Sequence, residues 1–161
     1  MARLVLTDVS PLIGLERVDG LGWLRSLFGS VEITRPVYRE LAGIEGPEPR
    51  IAAAIAEGWL VAREHDPEGS ARPPHLGAGE WTTILAARDH DGPCLALIDD
   101  RLARREARAA GVQLAGTAAV IGMAHSRGLI PSAREVFERL LRSDFRISPH
   151  VIREVLRRVE P

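Results

Sequence analysis

Apolar runs of three to five residues alternate along this chain with longer stretches in which apolar residues recur every three or four positions. The short runs fall at residues 4–7, 31–33, 59–62, 94–98 and 112–114, and each reads as a brief buried strand. Ser10 and Pro11 open a helix that continues through Leu12, Leu15 and Val18, with Ser as cap and Pro at the first helical position. Further helices are predicted over 21–28 and from Thr34 and Pro36 onward, where Val37 and Leu41 lie four apart on one face. The pattern continues with helices over 51–57 up to Gly58, 80 to about 89, 102–110 up to Gly111, and 118–126 behind a Thr117 cap.

Two more helices close the chain. Ser132 followed by Glu135 is a capping box, with Val136, Leu140 and Leu141 apolar behind it. Ser148 and Pro149 precede a stripe of Val151, Ile152, Val155, Leu156 and Val159, with Arg153, Arg157 and Arg158 on the other side. Short strands separated by helices predict one α/β domain over residues 1–161, with a mostly parallel sheet of about five strands and a helical C-terminal part over about 131–160. Residues 63–78 are the longest irregular stretch, and a loop that long in a compact domain is often functional.

Composition narrows the class. A chain of 161 residues is long enough to bury about 70% of its unfolded surface. No apolar run approaches the roughly 20 residues of a membrane span, the first residues lack a signal peptide's long apolar region, and the one cysteine, Cys94, lies inside an apolar run. These features predict a reduced, cytoplasmic setting. All 21 basic residues are Arg, and they are unevenly spread. Residues 1–100 carry nine Arg against sixteen acids, whereas 101–161 carry twelve against six. With a net charge of −1, a purely electrostatic nucleic-acid coat is not indicated.

The change of sign falls where the run 94–98 stops at Asp99 and Asp100. In open parallel sheets ligands sit beyond the carboxyl ends of the strands. Asp8 ends the first strand and Asp99 with Asp100 the fourth, so these carboxylates are expected at one sheet edge. Glu40 and Glu80, each beside apolar helical partners, can reach the same edge. So many carboxylates repel one another unless a cation joins them, and hard Mg²⁺ or Mn²⁺ prefers oxygen ligands. Such an ion can orient and deprotonate a water for attack on a phosphodiester. Bland roles compete: Asp8 and either Asp99 or Asp100 suit helix caps, and Glu80 suits a helix N-terminus. The five His show no pairing at zinc-site spacing. The segment Gly77-Ala78-Gly79 is too short for a phosphate loop.

The series Thr7-Asp8-Val9-Ser10-Pro11-Leu12-Ile13, Val37-Tyr38-Arg39-Glu40-Leu41, Gly79-Glu80 and Leu97-Ile98-Asp99-Asp100-Arg101 resembles the ordered acidic motifs of PIN-domain nucleases. The chain is most similar to a branch with an Asp-x-Ser-Pro-Leu-Ile opening and an Asp-Asp-x-x-Ala-Arg run, here Asp99 to Arg104; Gly111-Val112, Gly116-Thr117 and Gly128-Leu129-Ile130 also fit. The resemblance implies a three-layer α/β/α sandwich and Mg²⁺- or Mn²⁺-dependent RNA cleavage. It also implies, in many members, a homodimeric toxin with a cognate antitoxin. Carried over, Asp8, Glu40, Glu80 and Asp100 are the catalytic acids. Asp8, Asp100, Asp99 and Glu80 are the metal ligands, and Ser10, Arg101 and Arg104 are the substrate contacts. Asp99 stands where many relatives have a neutral polar residue, and Thr82 where a further acid is expected. The competing readings are a catalytically inactive PIN-like module that binds a protein partner, and a phosphoacceptor with Asp8 or Asp100 modified. The absence of any Lys counts against a receiver-type phosphoacceptor.

Overall fold

A computed structural model describes residues 3–67 and 71–161 of the chain. Five strands form one parallel sheet: β1 (Leu4–Thr7), β2 (Val31–Ile33), β3 (Leu60–Ala62), β4 (Cys94–Leu97) and β5 (Gln113–Ala115), in the order β3-β2-β1-β4-β5. The chain winds outward from β1 through β2 to β3, then returns to the other side of β1 for β4 and β5. The point of reversal therefore lies between β1 and β4. Their register pairs Leu4 with Cys94 and Thr7 with Leu97, so both strands end level. The Asp8 amide N–H extends the ladder by donating to the Leu97 carbonyl at 3.0 Å.

Strand residues alternate between two cores. Val5, Leu95 and Leu97 face a large core built with α1 (Val9–Glu16), α2 (Leu21–Phe28), α4 (Pro49–Ala56), α7 (Thr117–Ser126), α8 (Ala133–Arg142) and α9 (Pro149–Val159). Leu6, Ala96 and Ile98 face a smaller core built with α5 (Ala78–Asp89) and α6 (Arg101–Ala109). Trp81 packs against this second core. Helix α3 (Arg35–Ala42) sends Val37 into the larger core. The result is the expected three-layer α/β/α arrangement, with a sheet that is parallel throughout. Burial on both faces explains why its strands read as apolar runs rather than as alternating patterns.

Local starts and stops differ from the sequence reading in instructive ways. Helix α1 begins at Val9 with Asp8 in the cap position, not at Ser10, although the Asp8 side chain makes no cap hydrogen bond. Helix α7 begins at Thr117 with Gly116 in the cap position. The Ser132 hydroxyl accepts from the Glu135 amide at 3.2 Å, and Glu160 closes the same helix end by accepting from the Arg134 amide at 2.8 Å. Residues 68–70 of the expected irregular stretch lie outside the described residues; 63–67 and 71–77 form no helix or strand. Within this segment Leu76 is buried, and the Arg72 guanidinium donates to its carbonyl at 2.7 Å. No helix among the described residues is long and apolar enough to cross a membrane.

The C-terminal helix is seated through a glycine. A Cβ on Gly122 of α7 would lie 2.7 Å from the Val155 methyl carbon of α9. Substituting Gly122→Leu gains helix propensity but overpacks this crossing, so a net loss of about 1–3 kcal/mol is expected. Urea unfolding measures it, and an unchanged midpoint would contradict this packing.

Candidate metal and nucleic-acid site

At the carboxyl ends of β1 and β4 a cleft of about 650 Å³ opens between the start of α1, α3, the start of α5 and the start of α6. Asp8, Glu40, Glu80, Asp99 and Asp100 all line it, together with Ser10. The fold thus brings all five candidate carboxylates together from four separate segments.

Each is held differently. Asp8 is the most buried, at 6% exposure, and its Oδ1 is buried without a hydrogen-bond partner among the described residues. Burial raises its pKa from 3.8 to about 7; the Val9 amide opposes the rise, and Glu80, Glu40 and Asp99 add to it. Glycine at residue 79 eases the close approach of helix α5. A Cβ there would meet Asp8 Oδ1 at 3.2 Å, a Val37 methyl carbon at 3.2 Å and Glu40 Oε2 at 3.6 Å. Glu80 Oε1 accepts from the Gly77 amide at 3.0 Å, one half of a capping box. The expected helix-end role of Glu80 is therefore real, and it fixes the side chain at the cleft. Burial raises the Glu80 pKa, and so do Asp100, which shares a hydrogen bond with it, and Glu40.

Asp99 and Asp100 divide their work. Asp100 is the cap of α6: its Oδ2 accepts from the Ala103 amide at 2.9 Å. Asp99 spans two other helices. It accepts from the Ser10 hydroxyl at 2.7 Å, the Thr117 amide at 2.7 Å and the Thr117 hydroxyl at 2.7 Å. Because α1 starts at Val9, Ser10 is not needed as a cap and its hydroxyl turns to Asp99. A Cβ on Gly116 would sit 2.8 Å from Asp99 Oδ1, so glycine makes room for this clasp.

The two arginines expected at the substrate do not line this cleft. Arg101 is exposed at the first position of α6. Arg104 is half-buried and donates to the Ile98 carbonyl at 2.7 Å; burial and Arg108 lower its pKa. The basic residue that does line the cleft is Arg146, beside Phe145, from the α8–α9 connection. Nothing in the sequence pattern marks this pair, because the connection has no periodicity. Thr82, at the position where an acid was expected, does not line the cleft: its hydroxyl bonds the Thr34 hydroxyl at 2.7 Å and the Ala78 carbonyl at 2.7 Å.

The residues suit a hard divalent cation. The donors are all oxygens, they carry excess negative charge, and the Asp8 oxygen lacks a donor. Among the described residues no three His, Cys, Asp or Glu side chains already stand close enough to enclose an ion. Glu40 and Asp100, both exposed, are the side chains with room to close around one.

A family model described as a PIN domain, DUF3368, matches residues 4–161. No curated protein matches the sequence.

The Asp8 pKa sets a pH dependence in metal-free protein. Between 3.8 and about 7 the folded chain keeps a proton that the unfolded chain has released. Stability is therefore full below the lower value and is lost as pH rises through the upper one, by up to about 4 kcal/mol. Urea unfolding in EDTA from about pH 4 to about pH 8 should show this fall, and Asp8→Asn should flatten it and be the more stable protein at the alkaline end. An Asp8→Asn profile that parallels the parent would contradict the assignment.

Proposed function

The chain belongs to the PIN-domain family, a nuclease-type fold whose members generally use divalent metal ions, and from that premise we propose that it is a Mg²⁺- or Mn²⁺-dependent endoribonuclease. The observation that carries the reading is the buried Asp8 oxygen without a donor, facing four further carboxylates in one cleft.

In this reading Asp8, Asp100 and Glu80 hold the ion, with Asp99 beside them. Held there, such an ion would lower the pKa of the attacking water, whose proton would pass to a neighbouring carboxylate, and would stabilise the leaving oxygen of a phosphodiester. Asp8 supplies a fixed ligand because it extends the β1 ladder, and α6 holds Asp100 through its cap bond. Glu40, exposed in the same cleft and not among the ligands, is the group left to take or return a proton. Asp99 positions Ser10 at the substrate side of the cleft while anchoring α1 to α7. No Ser, Cys or His nucleophile is required.

The same reading makes the chain the toxin of a toxin–antitoxin pair, acting as a homodimer in the cytoplasm. A neighbouring gene for a small DNA-binding protein with an extended tail would support that pairing. The second reading, a PIN-like module that binds a protein without cleaving RNA, draws on the neutral Thr82 and its bond to Thr34.

Incubation with single-stranded RNA should give cleavage that needs Mg²⁺ or Mn²⁺ and stops with EDTA. Asp8→Asn and Asp100→Asn should each lower the rate by about a hundredfold or more. Equal cleavage by both variants in contaminant-controlled preparations would overturn the nuclease assignment.

A further inference from the structure

A second cleft, of about 460 Å³, adjoins the carboxylate site. It lies between α6, α7 and α9, and Asp99, Phe145 and Arg146 line both clefts. Its charge is opposite to that of its neighbour. Arg104, Arg108, Arg146, His150 and Arg158 line it, against the acids Asp99 and Glu154.

Both acids are already engaged. Asp99 is held by Ser10 and Thr117, and Glu154 takes the Arg157 guanidinium at 2.5 Å. Arg108, Arg146 and Arg158 have no ion-pair partner among the described residues, whereas Arg17, Arg50, Arg63 and Arg139 each have at least one. Unpaired guanidinium groups around one concavity leave a net positive site next to a net negative one.

The segment where the clefts meet is a built feature. Arg17 Nε donates to Asp144 at 2.8 Å, and Arg17 Nη1 also bonds Glu16 at 2.8 Å and Glu48 at 3.2 Å. The Phe145 amide donates to the Ser143 hydroxyl at 3.1 Å. The Phe145 ring rests on Gly14 of α1, where a Cβ would come within 2.8 Å of it. An aromatic ring is thereby fixed at the junction, with Arg146 next to it.

A polyanion gains nothing from the carboxylate cleft until a cation is present, so its holding force must come from elsewhere. Basic grooves with aromatic platforms are how proteins hold single-stranded nucleic acid, because phosphates follow the charge and bases stack on the ring. We infer that the α6–α7–α9 cleft is a phosphate track that leads a single-stranded nucleic acid over Phe145 into the carboxylate cleft, with Arg108, Arg146 and Arg158 as its phosphate contacts. The inference rests on the nuclease reading and assigns the substrate path to residues in the C-terminal part of the chain. Arg104, tied to the Ile98 carbonyl, frames the floor of the track rather than reaching along it.

The test is fluorescence anisotropy of the full chain with a fluorescein-labelled oligouridine in EDTA, so that binding is read without divalent cation or cleavage. Arg108→Ala, Arg146→Ala and Arg158→Ala should each weaken binding several-fold and lower the slope of log affinity against log salt by about 0.7. Phe145→Leu, which keeps an apolar contact on Gly14, should weaken binding about tenfold and leave the slope unchanged. Arg153→Ala, on the same helix as Arg158 but outside the cleft, should bind like the parent, and a duplex should bind more weakly than the single strand. Three arginine variants with parental affinity and slope, an equal loss in Arg153→Ala, or no binding by the parent chain would each overturn the track. Asp8→Asn should bind the oligonucleotide at least as well as the parent, which separates the two claims. A chain that binds along the track but cleaves nothing removes only the nuclease reading, whereas one that cleaves with unchanged binding in the track variants removes only the track.

Discussion

Asp8 is buried at the end of the central strand with one carboxylate oxygen unpartnered among the described residues, and much of the fold serves to hold it there. The parallel register of β1 with β4 allows no other outcome: when Thr7 pairs with Leu97, Asp8 and the Asp99–Asp100 pair must leave the sheet at the same edge. That edge is where the strand order reverses, so no crossover helix covers it. Gly79 then lets α5 approach until Glu80 joins. Convergence of like charges in a half-buried site is unfavourable alone; burial is the larger cause of the raised pKa values of Asp8 and Glu80, and the neighbouring carboxylates add to it. A divalent cation reverses the sign of the interaction.

The adjacent acids show how two identical side chains acquire different roles. They stand two and three residues beyond Leu97, the last residue of β4, and successive side chains of an extended segment point to different sides. Asp99 turns to α1 and α7 and is saturated by Ser10 and Thr117. Asp100 turns to α6, caps it with one oxygen and meets Glu80. Asp99 is therefore a clasp between α1 and α7, and the proposed metal role falls to Asp100, whose cap bond engages only one of its oxygens.

The buried strands and the carboxylates at their ends were legible because a two-sided parallel sheet leaves an unmistakable trace, an apolar run that stops abruptly at an acid. Helix boundaries were less so. Ser10-Pro11 is a good cap signal, but Asp8 takes the cap position and Ser10 makes a long-range bond instead, a choice decided by Asp99 from 89 residues away. Gly79 and Gly116 were not legible as site residues, since what they accommodate comes from other segments. The arginines were legible as a basic half of the chain but not as a track. Arg101 and Arg104 stood next to the acids in sequence, and Arg104 shares the second cleft with Asp99, while Arg146, from the α8–α9 connection, lines both clefts.

The central claim is that the carboxylates at the β1–β4 edge exist to hold a divalent cation. Calorimetric titration of the chain with Mn²⁺ near pH 7 tests it most directly. The account predicts saturable binding accompanied by proton release, because Asp8, with a pKa of about 7, must ionise to ligate, and loss of that binding in Asp8→Asn. The absence of Mn²⁺ binding, or equal binding by Asp8→Asn, would contradict it.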